Sequence, residues 1–164
     1  MPTPRALVVC YSRTGTTRQA ADALAAALHC PLEALTDRRP RTGGLRVLKC
    51  LFDARLKRMT TLAPLAQDLS RYDLVIVATP VWAASLPPAT RTFLALNKHR
   101  IRRAAFVCTE DESGAGNVFR QMTAVSGHAP VAVLALRTDA VRSGRASADI
   151  DDFVGEIGRA RVAA

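Results

Sequence analysis

The sequence predicts an α/β fold in which a five-stranded parallel sheet carries helices on both faces. Three observations predict it. Short apolar runs recur along the chain, stretches with apolar residues at helical spacing lie between them, and clusters of Ser, Thr, Gly and Pro fall at the junctions. Parallel strands need crossovers, and right-handed helical crossovers pack best against a twisted sheet. Runs that are apolar throughout, rather than alternating, belong to strands buried on both faces.

The elements follow in order. Residues 6–11 (ALVVCY) are a valine-rich run ended by a Ser/Thr/Gly cluster, which makes a buried strand. Residues 17–29 carry Ala21, Leu24, Ala25 and Leu28 at helical spacing, with Thr16 and Thr17 as cap candidates. Residues 31–35 are a weaker strand, after which Pro40, Gly43 and Gly44 break the chain. From Leu45 onward Leu48, Phe52, Leu56 and Met59 continue a helical stripe with the basic residues mostly off it, so segment 38–60 reads as a covering helix or a lid. A membrane-touching helix is the other reading of that stripe. Residues 73–79 (DLVIVAT) form the next buried strand, and a helix over 88–97 turns Phe93 and Leu94 inward, with Pro87-Pro88 at its start, where proline is tolerated. Residues 104–109 (AAFVCT) are a strand, Val118, Met122 and Val125 mark a helix, and 131–136 (VAVLAL) is the fifth strand. Ser147 caps a last helix carrying Ile150, Phe153, Val154 and Ile157.

The 164 residues suit a single domain over 1–164. With 49% hydrophobic and 23% charged residues the composition is that of a globular chain. No run approaches the ~18 consecutive apolar residues of a membrane span, and Met1-Pro2-Thr3-Pro4-Arg5 lacks the layout of a signal peptide, so the expected location is cytoplasmic. The four cysteines (Cys10, Cys30, Cys50, Cys108) show no C-x-x-C, and each sits among apolar neighbours, where a thiol behaves as a small hydrophobe. The histidines His29, His99 and His128 are isolated, so no metal site is expected.

Lysine and arginine exceed aspartate and glutamate by 23 − 14, a formal charge of +9. Eight of these cations lie between Arg38 and Arg58, and Arg91, Lys98, Arg100, Arg102 and Arg103 have no acid among them. Such a field can attract nucleic acid, an anionic membrane or an acidic protein. The simpler reading, adopted here, is arginine on solvated faces, with nucleic acid not expected as a partner.

Ligands of an open α/β sheet bind beyond the carboxyl ends of the strands, where strand order reverses. The loops to inspect are therefore Ser12-Arg13-Thr14-Gly15-Thr16-Thr17, Thr79-Pro80-Val81-Trp82-Ala83-Ala84-Ser85 and Thr109-Glu110-Asp111-Glu112-Ser113-Gly114-Ala115-Gly116. The first places four hydroxyls and a glycine at a helix N-terminus, where free N–H groups and the helix dipole favour a phosphate. Gly15 permits close approach or a positive φ, and Arg13 either adds charge or faces solvent. A plain Ser/Thr cap without ligand is the alternative, but one hydroxyl suffices for a cap.

Other phosphate motifs fail. GxxxxGK[ST] is absent, and so is GxGxxG after the first strand. Cys10 suggests a thiolate phosphatase loop, but position 16, where such a loop needs arginine, is threonine. An acidic receiver pocket needs carboxylates after the first strand, and there are none.

The stretch Val8-Val9-Cys10-Tyr11-Ser12-Arg13-Thr14-Gly15-Thr16-Thr17, continuing to Ala21 and Leu24, resembles the signature of the flavodoxin family. Cys10 is the one departure, where an aromatic residue is usual. The Thr79-Pro80-Val81-Trp82 loop is similar to that of small bacterial flavodoxin-like proteins, and the alternation of elements extends the resemblance over nearly the whole chain. The resemblance implies strand order 2-1-3-4-5 and a non-covalent FMN, its phosphate on Ser12, Arg13, Thr14, Gly15, Thr16 and Thr17. It implies a flavin ring between the other two loops, against Thr79, Pro80, Val81, Trp82 and Ala83 on one side and Thr109, Glu110, Ser113, Gly114 and Gly116 on the other.

Trp82, the only tryptophan, is the natural platform for one ring face, with a core or rim residue as the plain alternative. The third loop has no tyrosine or tryptophan to cover the opposite face. No histidine lies in the three loops, and no catalytic residue stands out; Glu110, Asp111 and Glu112 either touch the ring edge or face water, and water is the favoured reading. Two functions follow. The first is an FMN-dependent redox protein, either an electron carrier or a small NAD(P)H or quinone reductase, working with an acidic partner protein or a small molecule. The second is a flavin-free flavodoxin-like module for binding or regulation.

Overall fold

The computed structural model describes residues 5–38 and 56–162. Strand β1 (Ala6–Cys10) leads into helix α1 (Thr16–Ala27) and the short strand β2 (Leu32–Ala34). A single 3-10 turn at Leu69–Arg71 precedes β3 (Leu74–Pro80), α2 (Pro88–Asn97), β4 (Ala104–Glu110) and α3 (Ala115–Ser126). Strand β5 (Val133–Arg137), α4 (Thr138–Arg142) and α5 (Ser147–Val162) complete the order. The sheet is parallel throughout, in the order β2-β1-β3-β4-β5 that the resemblance implies.

Alternation along the central strands divides the core in two. Leu7, Val9, Val75, Val77, Ala104 and Phe106 face α2 and α3, together with Phe93, Leu94, Val118 and Met122. Val8, Cys10, Ile76, Ala78, Ala105 and Val107 face the other way, onto Ala20, Ala21 and Leu24 of α1 and Ile150, Phe153 and Ile157 of α5. Residues 75–79 and 104–108 are buried throughout, which is why β3 and β4 read as unbroken apolar runs.

Several expectations are corrected. Thr16 and Thr17 do not cap α1: Gly15 is the N-cap, and the threonines are the first two helical residues. Ser147 is likewise inside α5 rather than ahead of it. The fifth strand starts two residues later than its apolar run and is not buried on both faces: Leu136 is fully buried, but Val133 is 45% exposed. Its inner residues join only the α1/α5 core, because α2 and α3 do not extend over this outer strand.

The amphipathic segment from Leu45 falls largely outside the described residues. Its described end is not helical: Leu56 and Lys57 form a turn, Lys57 takes φ 55°, and Leu56 and Met59 are about half exposed. Thr60 N–H donates to Thr92 Oγ1 at 2.9 Å, holding this end on α2.

The basic residues after α2 find acids that are distant in sequence: Arg100 pairs with Asp68 at 2.9 Å and Arg102 with Asp73 at 3.3 Å, both at the surface. Arg91 departs from the solvated reading, being only 6% exposed. Among the described residues no helix is long and apolar enough to cross a membrane.

The two-sided core makes a direct prediction. Phe93, fully buried, should lose about 3–5 kcal/mol of stability on replacement by alanine. Val133→Thr on the open face of β5 should stay within about 0.5 kcal/mol of the parent. Urea unfolding of both variants checks this; a comparable loss at Val133 would mean that the outer strand is covered.

Candidate functional site

The order reverses between β1 and β3, and the loops after these strands and after β4 meet there. Gly15 takes φ 94° as the N-cap of α1, and no side chain caps the helix. Its first N–H groups are therefore left for a ligand or water, and the positive end of the helix dipole points the same way. Ser12 Oγ accepts from Gly15 N–H at 3.2 Å and shapes the turn.

The two buried threonines serve as ties. Thr17 Oγ1 and Thr109 Oγ1 share a hydrogen bond of 2.7 Å, fixing the start of α1 to the end of β4. Thr16 Oγ1 accepts from Arg142 Nε at 3.1 Å, and Gln19 Nε2 donates to the Val141 carbonyl at 3.0 Å, so α4 is docked on the first turns of α1.

A cavity of about 220 Å³ opens over this turn. Arg13, Thr14, Thr16 and Thr17 line one side; Pro80, Val81 and Trp82 line another; Thr109, Asp111, Thr138 and Arg142 complete it. A second hollow of about 510 Å³ shares Asp111, Thr138 and Arg142 with it, so the crevice continues past Arg137 and Ser143. Arg13 and Arg142 make no ion pair among the described residues, so the rim above the helix end carries two cations and one acid, Asp111. Trp82 packs edge-on against Tyr11, ring centres 5.5 Å apart and planes at 69°, the geometry aromatic quadrupoles favour. A larger cavity of about 730 Å³ lies between residues 59–68 and the second half of α2, away from the carboxyl ends of the strands. Its lining has no aromatic side chain and no start of an α-helix, and the smaller one is the better candidate for a ligand site.

No protein-family model and no curated protein matches the sequence. Solved structures match in shape. A flavoprotein from Lactobacillus acidophilus, in complex with FMN, superposes with a TM-score of 0.72 at 16% identity, over 92% of this chain and 99% of that one. A candidate flavoprotein from Bacteroides eggerthii gives 0.70 at 20% identity, over 92% and 98%. Oxidised flavodoxin 1 from Bacillus cereus gives 0.54 at 17% identity, over 92% and 97%. The fold is the flavodoxin-like one.

Within this flavodoxin-like fold the sequence-predicted site residues separate into groups. Arg13, Thr14, Thr16, Thr17, Pro80, Val81, Trp82 and Thr109 meet in the cavity, with Ser12 and Gly15 beneath them shaping the turn. Thr79 turns away, its hydroxyl bonded to Thr90 Oγ1 at 2.8 Å. Ala83 is at the tip of the Trp82 turn. Glu110 does not simply face water: its carboxylate accepts from Ala115 N–H at 2.8 Å at the start of α3. Ser113 and Gly114 lie beyond the cavity lining, and Gly116 is in the first turn of α3.

Thr138 and Arg142 are cavity residues that sequence reasoning missed, and Asp111, favoured to face water, lines the cavity as well. A helix of five residues is too short to show a periodicity, and the strand-reversal rule directs attention away from the loop after β5.

Cys10, at the mouth of the first loop, is only 2% exposed. Burial pushes its thiol from 9.0 up to about 12, and burial raises Cys108 well above its usual value too. Above pH 9.0 the unfolded chain ionises these thiols while the native chain keeps them protonated. The unfolded state then binds fewer protons, so stability should be full below that pH and decline as pH rises toward about 12. Urea midpoints at about pH 8 and about pH 10 should show the decline, and Cys10→Ala/Cys108→Ala should remove much of it. A decline unchanged in the double variant would assign it to other groups.

Proposed function

We propose that the chain binds FMN non-covalently in the crevice at the carboxyl ends of β1, β3 and β4, and acts as a redox protein. The observation that carries this reading is the uncapped N-terminus of α1 opening into one cavity with Trp82 and Arg142. A helix end with free N–H groups suits a phosphate. Arg13 and Arg142 lie on the cavity wall to offset its charge, and Thr14 adds a hydroxyl there. Trp82, braced by Tyr11, suits one face of a planar ring. The FMN held by the Lactobacillus acidophilus structure supports the same reading.

Bound FMN would supply the electron-carrying ring; the chain would bind it, orient it and set its electrostatic surroundings. Neither histidine nor cysteine lines the cavity, and Asp111 is the one carboxylate on its wall. The net charge of +9 favours an acidic protein or an anionic small molecule as the redox partner.

An absorption spectrum of the purified protein, with FMN added if it is colourless, tests this. Flavin bands near one per chain with quenched fluorescence are expected. A chain that neither retains nor quenches FMN would instead be a flavin-free binding module. Arg142→Ala should weaken FMN by about tenfold, the scale of a hydrogen bond from a charged group. It should leave riboflavin binding unchanged, and the FMN loss should shrink in high salt. Equal losses for both ligands would place the phosphate elsewhere.

A further inference from the structure

The turn that carries Trp82 is made of residues that oppose its shape. Trp82 and Ser85 exchange backbone hydrogen bonds, Trp82 N–H to Ser85 O at 3.1 Å and Ser85 N–H to Trp82 O at 2.9 Å, closing a two-residue hairpin. Its central residues, Ala83 and Ala84, take φ 48° and φ 54°. Positive φ at both positions is the type I′ pattern, which Asn-Gly adopts readily and an alanine pair resists.

What holds this turn lies on one face of α3. Gly114 leaves it room: a Cβ there would meet Ala84 Cα at 2.8 Å and Val81 Cγ1 at 2.9 Å. Asn117 Nδ2 donates to the Ala84 carbonyl at 2.7 Å. One helical turn further, Gln121 Oε1 accepts from Ser85 Oγ at 3.1 Å, Leu86 N–H at 3.3 Å and Arg91 Nη2 at 2.5 Å. Residues 117 and 121 are four apart and so share a face of α3, and Gly114 is its N-cap.

Arg91 is buried, pairs with no carboxylate among the described residues, and has an Nε without a partner. Its guanidinium has no acceptor atom, so it fixes the oxygen of Gln121 toward the turn; the flipped amide would set donor against donor.

We propose that Asn117 and Gln121, backed by Arg91, are positioning residues that hold the Ala83–Ala84 turn left-handed and so present Trp82 as a preformed platform for a planar aromatic ligand. The identity of that ligand as FMN rests on the function proposed above; the clamp does not. Order fixed before binding is ordering that binding need not supply, and affinity rises accordingly.

Trp82 is the only tryptophan, so its emission reports the turn in the ligand-free protein. Asn117→Ala should lower Trp82 emission anisotropy and weaken FMN by about fivefold, and Gln121→Ala by about tenfold, the scale of one or two hydrogen bonds. With Ala83→Asn/Ala84→Gly in place the turn no longer needs the clamp, and each loss should fall below about twofold in a double-mutant comparison. Equal losses in both backgrounds, or Trp82 emission unmoved by both substitutions, would overturn the proposal.

If the parent protein takes up no FMN, the function proposed above fails, while the Trp82 comparison still decides the clamp. If Gln121→Ala does not fold, because it strands Arg91, Asn117→Ala carries the test. The Asn117 side chain is near the surface, and its removal buries no unmet polar group.

Discussion

β1 lies between β2 and β3, so the chain winds toward one edge of the sheet before β3 and toward the other after it. The crossover through α1 therefore covers one face and that through α2 the opposite face, and the two helices diverge at the carboxyl ends of β1 and β3. Such a divergence leaves a crevice that no core side chain fills. The glycine turn, the Trp82 hairpin and the docking of α4 are all placed by it. The buried interiors of β1, β3 and β4 frame it.

How much of this was legible in the residues depended on how completely each element is buried. β3 and β4 are surrounded on both faces, so their apolar runs coincide with their observed ends to within a residue or so. β5 is covered on one face only, and its run misplaces it by two residues at its start. The first loop was legible as a candidate site because it offers more hydroxyls at a helix start than one cap requires. The individual hydroxyls were not: Ser12, Thr16 and Thr17 each carry a partner within the protein. Arg142 lies in an element too short for any pattern, and only the fold brings it to the first loop, where it donates to Thr16.

The arginines show how sequence position misleads about charge. Those following α2 have no acid nearby in the chain, yet Asp68 and Asp73 meet two of them at the surface, where such pairs are worth about 0–1 kcal/mol. Arg91 belongs to the same sequence cluster and has the opposite environment: it is buried, held by an amide oxygen and a backbone carbonyl. Burying a charge against neutral acceptors is costly, and its position behind the Trp82 turn makes that arginine part of the site rather than of the solvated surface.

The bonds from Arg142 to Thr16 and from Gln19 to Val141 join residues 126 and 122 positions apart. Closures of that span are entropically late events in folding, because most of the chain must be ordered before they form. A ligand seated at this junction would touch both ends of a loop of that span and act on the native state as a reversible cross-link. Its strength would rise with the logarithm of free ligand concentration. The resistance of the C-terminal helices to local unfolding would then be set by how much cofactor the surroundings hold.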